Sequence, residues 1–291
     1  SGIAAGDYVA GTKAWGQVIG TTGEQDERDG VAGYDLDSYG FVFGIDRDIS
    51  RKANLGVAFA YTDSDVDSDD VAQSETQIDS YQFTLYGDYD VNEATYVSGQ
   101  IGYAFGENDV ERGTVAGGNF REFDFDSDTF SVSAELGHSI QAGSNLNFVP
   151  RVGLNYMNYD PDSVTDPLGG GGAAGTGLEL EGDSLDVFEG IIGANLEYTV
   201  HNDNGSRFKP YVSAQFAYDF VGDEVQTTNT FVGTNTSFDT EGFDSQEERI
   251  NLGTGFTFFS ADQFEFSADY EYEYQDDFDS HTGSVKAAYK F

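Results

Sequence analysis

The chain has 291 residues, and its 37 Gly, 18 Tyr and 24 Phe against 1 Met and 4 Pro favour many short strands over helices. Its 53 acidic and 13 basic residues give a formal net charge of -40, which excludes the phosphate backbone of a nucleic acid as a partner. There is no cysteine for a disulfide, a zinc–thiolate site or a cysteine nucleophile, and no apolar run of about 18 residues for a membrane-spanning helix.

The predicted elements are strands in which apolar or aromatic residues alternate with small or polar ones. Phe266, Ala268, Tyr270, Tyr272 and Tyr274, for example, alternate with acids and a serine, a pattern that separates onto two faces only in a strand. The first segment, KAWGQVIGT, leaves its facing open. Twelve such segments follow one another, around residues 13–21, 39–45, 55–61, 81–86, 97–105, 130–137, 147–156, 188–198, 211–219, 250–258, 265–274 and 283–291.

The connections between these strands alternate in length. Short ones fall at 47–52, 91–94, 142–145, 201–207 and 260–263, and longer polar ones at 24–34, 63–76, 108–122, 160–183, 221–246 and 275–282. An even number of strands with short turns on one side and long loops on the other is typical of an outer-membrane barrel. The sequence therefore predicts an all-β fold, a 12-stranded antiparallel transmembrane β-barrel with short periplasmic turns, longer extracellular loops and periplasmic termini.

The two faces of the predicted strands differ in charge, which decides between a soluble sandwich and a barrel in lipid. The apolar face is almost free of charge, and a Lys or Arg facing lipid near the bilayer midplane costs roughly 2 to 4 kcal/mol. The other face mixes small and polar residues with charges, as expected for a hydrated lumen. The predicted lumen-lining polar network is Glu135, Arg151, Glu189, Glu197, Asp219, Asp269, Glu271 and Lys286.

The last nine residues, GSVKAAYKF, predict a closing strand rather than a tail. We expect Val285, Ala287, Tyr289 and Phe291 to face lipid, with Lys286 facing the lumen. The parity of an antiparallel pair allows Lys286 to lie opposite Glu271 or a neighbouring acid.

Several segments together resemble the translocator β-domain of autotransporters, the type V secretion proteins of Gram-negative bacteria. They are WGQVIG, GVAGYDLDSYGFVFGID, LGVAFAYTDSDVDSD, IDSYQFTLYGDY, VSGQIGYAF, PYVSAQFAYDF, LGTGFTF and HTGSVKAAYKF. The resemblance runs from about Trp15 to Phe291. The chain departs from the family's pattern in its strong acidity and in containing no passenger.

The resemblance implies a barrel domain over 13–291 that exports an N-terminal passenger, and a linker remnant over 1–12 that enters the barrel after a pore-threading helix. It implies as partners the passenger and linker helix, outer-membrane lipid and lipopolysaccharide, periplasmic chaperones and the barrel-assembly machinery. The strand ending in Phe291 resembles the assembly signal that this machinery reads. We expect a monomer. The alternative is a porin-like channel or surface-binding barrel without a passenger.

Three patterns could indicate other chemistry. TDSDVDSDD offers a weak calcium loop through Asp63, Asp65, Asp67 and Asp69, but it lacks the glycine and glutamate of an EF-hand loop, so a solvated loop is expected. GGGGAAGTG at 169–177 has no following Lys-Ser or Lys-Thr and predicts a surface loop. Nothing gathers a Ser, a His and a polar orienting group, so we expect no enzyme, no catalytic residue, no cofactor and no other metal site.

Overall fold

The computed structural model describes residues 11–28, 30–70, 73–113, 120–166, 178–222, 226–232, 236–242, 246–260 and 263–291, and every regular element in these ranges is a strand. None of these described segments forms an apolar helix of membrane-spanning length. Residues 1–7, which resemble the pre-barrel segment, and the glycine-rich stretch at 169–177 lie outside the described residues.

Twelve strands form the wall of a closed antiparallel barrel, which confirms the predicted fold class. They are β1 (Thr12–Gln25), β2 (Tyr34–Ser50), β3 (Ala53–Ser68), β4 (Glu75–Asp90), β5 (Thr95–Gly113), β6 (Phe120–His138), β8 (Leu146–Pro161), β11 (Leu185–Tyr198), β13 (Arg207–Asp219), β16 (Glu248–Phe259), β17 (Phe264–Gln275) and β18 (Phe278–Lys290). Two-residue strands β7 (Ile140–Gln141) and β12 (Val200–His201) extend the sheet at two tight turns.

Closure depends on the pairing of the first and last strands. Each wall strand pairs with its neighbour along the chain, and β1 then pairs antiparallel with β18, placing Val18 opposite Val285 and Gln17 opposite Lys286. A closed sheet has no free edge along this seam, which hydrocarbon requires because each unpaired backbone group there costs several kcal/mol. We call the end of the barrel with the short connections the turn end, and the opposite end the loop end.

Several of the long predicted loops are instead continued strands. The sequence predicts loops at 63–76 and 108–122, whereas β3 continues to Ser68 and β5 to Gly113, with pairs such as Asp65 and Gln77 still in register. Asp109 and Asp124 pair in the same way on β5 and β6. The outward face of these extensions carries acids such as Asp65 and Asp109 in place of apolar residues, so the apolar row that marks a lipid-facing strand in the sequence is lost there.

A second, smaller sheet lies within the two longest connections. It contains β9 (Val164–Asp166), β10 (Leu178–Gly182), β14 (Gln226–Phe231) and β15 (Ser237–Glu241), in the order β15-β14-β10-β9. The sequence predicts loops at 160–183 and 221–246, so these strands correct that expectation. Short polar segments such as QTTNTF have too little alternation to indicate a strand by themselves.

The edge of the lipid-facing band is marked by two adjacent rows of outward side chains. An aromatic row crosses β2 to β5 through Phe41, Tyr61, Tyr81 and Phe105, which are cross-strand partners. The next outward row toward the loop end contains the carboxylates Asp63, Asp79, Glu107 and Asp126. The side chains change from aromatic to acidic between these two adjacent rows, and this change marks the boundary between hydrocarbon and water on the outer surface.

Candidate functional site in the lumen

The lumen is the space enclosed by the inward-facing side chains of the twelve wall strands. Outward side chains such as Val18 and Phe43 are 58% and 60% exposed, whereas inward Asp46 is 5% exposed. This is the reverse of a soluble protein, in which the apolar side would be covered. The candidate site is therefore the polar interior, and the apolar surface is the lipid contact.

One group of inward charges centres on Arg151 of β8. Its guanidinium donates to Glu135 at 3.1 Å and to Gln215 of β13 at 3.5 Å, so it links strands three positions apart around the wall. The Tyr96 hydroxyl donates to the same Glu135 carboxylate at 2.8 Å. The structure thus brings together two of the predicted lumen residues, Glu135 and Arg151, and gives the carboxylate both a cation and a neutral donor.

A second group centres on Arg249 of β16, a residue outside the network predicted from the sequence. Arg249 lies 2.8 Å from Glu189 and 3.4 Å from Glu273, bridging β11 and β17. Asn251 donates to Glu271 at 3.1 Å and to Glu273 at 2.9 Å. The inward parity of Arg249, two residues before Asn251, is the signal that could have identified it.

The other predicted acids have separate partners. Glu197 pairs with Lys209 at 3.4 Å near the turn end. Asp269 accepts from the Tyr211 hydroxyl at 2.6 Å. Asp219 is 5% exposed and accepts from the backbone N–H groups of Phe188 at 3.0 Å and Val221 at 3.1 Å, so it fixes the start of a connection at the loop end. Each of these carboxylates is held by its own donors, an arrangement that orients side chains around a polar passage.

Lys286 does not lie opposite Glu271, a partner that strand parity allows. Its cross-strand partner on β17 is Ser267, and Glu271 is opposite Thr282. The Lys286 ammonium instead sits over the indole of Trp15, with Nζ 3.9 Å from the ring centroid. The closure register with β1 sets this position, and such a cation–π contact stabilises a lysine that has no carboxylate directly across from it.

Trp15 and its neighbours form a lumen cluster that sequence reasoning missed, because the facing of β1 was open. The indole Nε1–H donates to the Tyr86 hydroxyl at 2.6 Å, and that hydroxyl donates to Asp46 at 3.0 Å. Asn54 donates to the same Asp46 at 2.9 Å. Outward Val18 fixes the parity of β1, so Trp15 must point inward.

Glycines make room for these rings. A Cβ on Gly44 would overlap the Trp15 indole, and a Cβ on Gly56 would overlap the Tyr86 ring. A Cβ on Gly137 would likewise overlap the ring of Tyr96. The inward glycines therefore let large aromatic side chains lie flat along the wall, which keeps the passage open while covering backbone that has no side chain of its own.

The space that remains is a cavity of about 510 Å3 in the lumen, bounded on opposite walls by Trp15, Tyr86, Glu135, Gln215 and Lys286. Its lining offers hydrogen-bond donors and acceptors of both charge signs. Within the part of the chain that the structure describes, no group of three or more His, Asp or Glu side chains is placed to hold a metal ion. Asp63, Asp65 and Asp67 lie on strand β3 rather than in a loop, and alternate residues of a strand are about 6.6 Å apart, too far to wrap around one calcium ion.

Comparison with known proteins agrees with this architecture. A family model, "Autotransporter beta-domain", matches residues 14–271. Outer membrane protein B of Rickettsia japonica is 22% identical over 99% of this chain and 18% of its own length, so the chain spans about a fifth of that relative. The chain also resembles the translocator domain of the autotransporter NalP from Neisseria meningitidis, with 16% identity, a TM-score of 0.78 and 99% and 90% of the two chains covered.

A second solved structure, the transport unit of the autotransporter AIDA-I from Escherichia coli, is 13% identical with a TM-score of 0.73 over 96% of this chain and 90% of that one. At these identities the structural likeness establishes the fold, and the family match establishes the relationship. The resemblance inferred from the sequence is therefore confirmed, and the porin-like alternative is not favoured. The chain belongs to the autotransporter beta-domain family and is a translocator barrel integral to the outer membrane.

Proposed function

We propose that this barrel exports a passenger joined upstream of Ser1 and that the lumen accommodates the polar segment connecting the two. The observation that carries the proposal is the series of charged and polar inward side chains within a closed ring, from Lys13 near the turn end to Glu189 and Asp219 near the loop end. A connecting segment can exchange its water for hydrogen bonds along this face. The lumen acids serve to position donors and do not catalyse a reaction.

We place the turn end and both termini in the periplasm and the loop end outside the cell, because outer-membrane barrels have short periplasmic turns and longer external loops. The domain division follows, with 1–12 entering from the periplasm and 13–291 forming the barrel. The acidic row beyond the aromatic row then lies at the level of lipopolysaccharide head groups. The barrel acts as a monomer in this arrangement.

Assembly would use the last strand. Val285, Ala287, Tyr289 and Phe291 face outward, with Tyr289 and Phe291 stacked at 6.2 Å between ring centroids. This exposed aromatic end suits recognition by the barrel-assembly machinery, after periplasmic chaperones have held the unfolded chain. The same residues contact lipid once the barrel is complete.

Export is tested by joining a signal peptide and an epitope-tagged passenger upstream of Ser1 and expressing the fusion in a Gram-negative host. We expect the epitope to be accessible to antibody and protease on intact cells. The barrel of the same sample is checked by its gel migration with and without boiling. A folded barrel whose epitope stays in the periplasm would contradict export.

The assembly signal is tested with Phe291→Ala and a matched control, Phe264→Ala, since both phenyl rings are outward and exposed at the same end. We expect Phe291→Ala to reduce the folded barrel in cells several-fold while both variants refold equally in detergent. Equal cellular yields of the two variants would show that Phe291 has no role beyond lipid contact.

A further inference from the structure

A second cavity, of about 270 Å3, lies at the loop end, among β6, β8, the start of β11 and the small sheet. It shares no lining residue with the lumen cavity. One side is aromatic, formed by Phe123 and Phe125 of β6 and Tyr159 of β8. All three rings have inward parity on strands that have already passed the lipid-facing band, so neither membrane burial nor the lumen network explains them.

Aliphatic side chains also line this cavity. They belong to Val164 of β9, Leu180 of β10 and Leu185 of β11, and Pro161, Gly182, Gln226 and Thr227 line it as well. The Tyr159 side chain is only partly exposed to solvent. Apolar side chains from five strands thus surround a space that is not filled by any described side chain.

The rim of the cavity is acidic. Asp162 and Asp183 line it, and among the described residues that line it none is basic; Arg121, the next inward residue of β6 beyond Phe123, is not one of them. The net charge of the whole chain, -40, has the same sign as this rim. An anionic ligand would therefore be repelled, whereas a cation is attracted by both carboxylates.

We propose that this cavity binds a small organic cation, with an ammonium head at the carboxylate rim and an apolar body against Phe123, Phe125 and Tyr159. The volume is below the roughly 300 to 1,000 Å3 usual for drug-sized ligands, so the ligand class is a simple amine or quaternary ammonium compound. The site lies at the loop end and shares no lining residue with the 510 Å3 lumen cavity.

The test uses the folded full chain in detergent micelles and benzyltrimethylammonium as the probe, followed by ligand-observed NMR and isothermal titration. We expect saturable binding that weakens as salt is raised, because the rim carboxylates are exposed to solvent. Leu180→Trp, which fills the cavity, should abolish it. The matched control Leu154→Trp places the same ring on the lipid-facing surface, where Leu154 is exposed, and should leave binding unchanged.

The charge requirement is tested with the double variant Asp162→Asn and Asp183→Asn, whose exposed positions should not disturb folding. We expect about tenfold weaker binding of the probe at low salt. The neutral analogue benzyl alcohol and the anion phenylacetate should bind at least tenfold more weakly than the cation. Absence of saturable binding, binding retained in Leu180→Trp, or equal binding of benzyl alcohol would each overturn the proposal.

Discussion

Two walls of the barrel meet the same bilayer but extend from it to different heights. β5 and β6 have 19 residues each and β16 and β17 have 12, a difference of seven residues or about 23 Å of extended strand. On the long wall the outward face changes from aromatic to acidic, whereas the short wall ends near Tyr274, opposite Asp279. The comparison shows that strand pairing continues wherever backbone partners exist, while the solvent decides which side chains the outer face carries.

The largest effect is expected when the same charge is placed at two positions of one strand, one inside the lipid-facing band and one beyond it. Val57 and Asp65 both face outward on β3, Val57 in the apolar band and Asp65 beyond it. Val57→Arg should lower the free energy of unfolding by about 2 to 4 kcal/mol, whereas Asp65→Arg should change it by less than about 0.5 kcal/mol. Urea unfolding in lipid vesicles measures both. Equal effects would mean that the band does not face lipid.

The short wall can be probed from the inside through Arg249, which bridges Glu189 and Glu273. Arg249→Met leaves two carboxylates without their cation, and we expect a loss of about 1 to 2 kcal/mol, less than in a dry interior because the lumen is hydrated. Adding Glu189→Gln should restore part of that loss. If the double variant is no more stable than the single one, the charge imbalance is not the cause.

Two glycines, Gly44 facing the lumen on β2 and Gly283 facing outward on β18, differ in the space beside them. Gly44→Ala should displace the Trp15 indole and cost about 1 kcal/mol, because the added Cβ occupies the position of the ring. Gly283→Ala meets nothing within 4 Å and should cost much less. Thermal unfolding, with Trp15 fluorescence as the reporter of ring position, distinguishes them. An unchanged emission spectrum in Gly44→Ala would contradict the assigned packing.

The smallest expected effect is at the turn end, where Lys290 of the last strand lies 3.0 Å from Asp48 of β2. Partial burial raises the pKa of Asp48. Hydrogen bonds from Lys290 and Asn54, together with the Lys290 charge, lower it by more than burial raises it, so the pKa of Asp48 is below its ordinary value. The ion pair therefore contributes its full stabilisation at pH values above the pKa of Asp48 in the unfolded chain. This stabilisation is lost as the pH falls through the pKa of Asp48 in the folded barrel. Both side chains remain in contact with solvent, so we expect only a few tenths of a kcal/mol.

This pH effect is read as a difference between two proteins, because many other acids titrate in the same range. The unfolding free energy of the natural chain and of Asp48→Asn is followed from pH 7 to pH 3. The difference between them should shrink toward the acid end. A difference that stays constant with pH would exclude the ionised Asp48 as its source.

The sequence predicts the wall well because lipid imposes a strict rule on it. Outward Phe43, Val57 and Phe83 must be apolar and alternate with polar or small residues. This alternation predicts where the strands are, which of their faces is outward and how many strands the wall contains. The rule ceases beyond the band, so the extensions of β3 and β5 and the strands of the small sheet are not detected. In water, either face can be acidic, and Asp63 to Asp69 then resemble a loop.

The candidate site was only partly predictable for a different reason. Parity assigns Glu135 and Arg151 to the lumen. Which side chains meet there depends on the register between neighbouring strands, and the alternation of residues along one strand does not predict that register. Lys286 shows this, since the β1 to β18 pairing sets it over Trp15 rather than opposite Glu271. Trp15 itself was missed because KAWGQVIGT has too few large residues to fix its facing.

The pairing of β1 with β18 has a kinetic consequence. Its partners, from Lys13 and Lys290 to Gln25 and Phe278, are separated by nearly the entire length of the chain. Loop-closure entropy must be overcome before contacts between such distant segments become favourable, and folding of this kind is slow. The nascent polypeptide therefore stays open along one side until its final residues arrive, and during that interval it is exposed to aggregation unless something else covers the waiting strand.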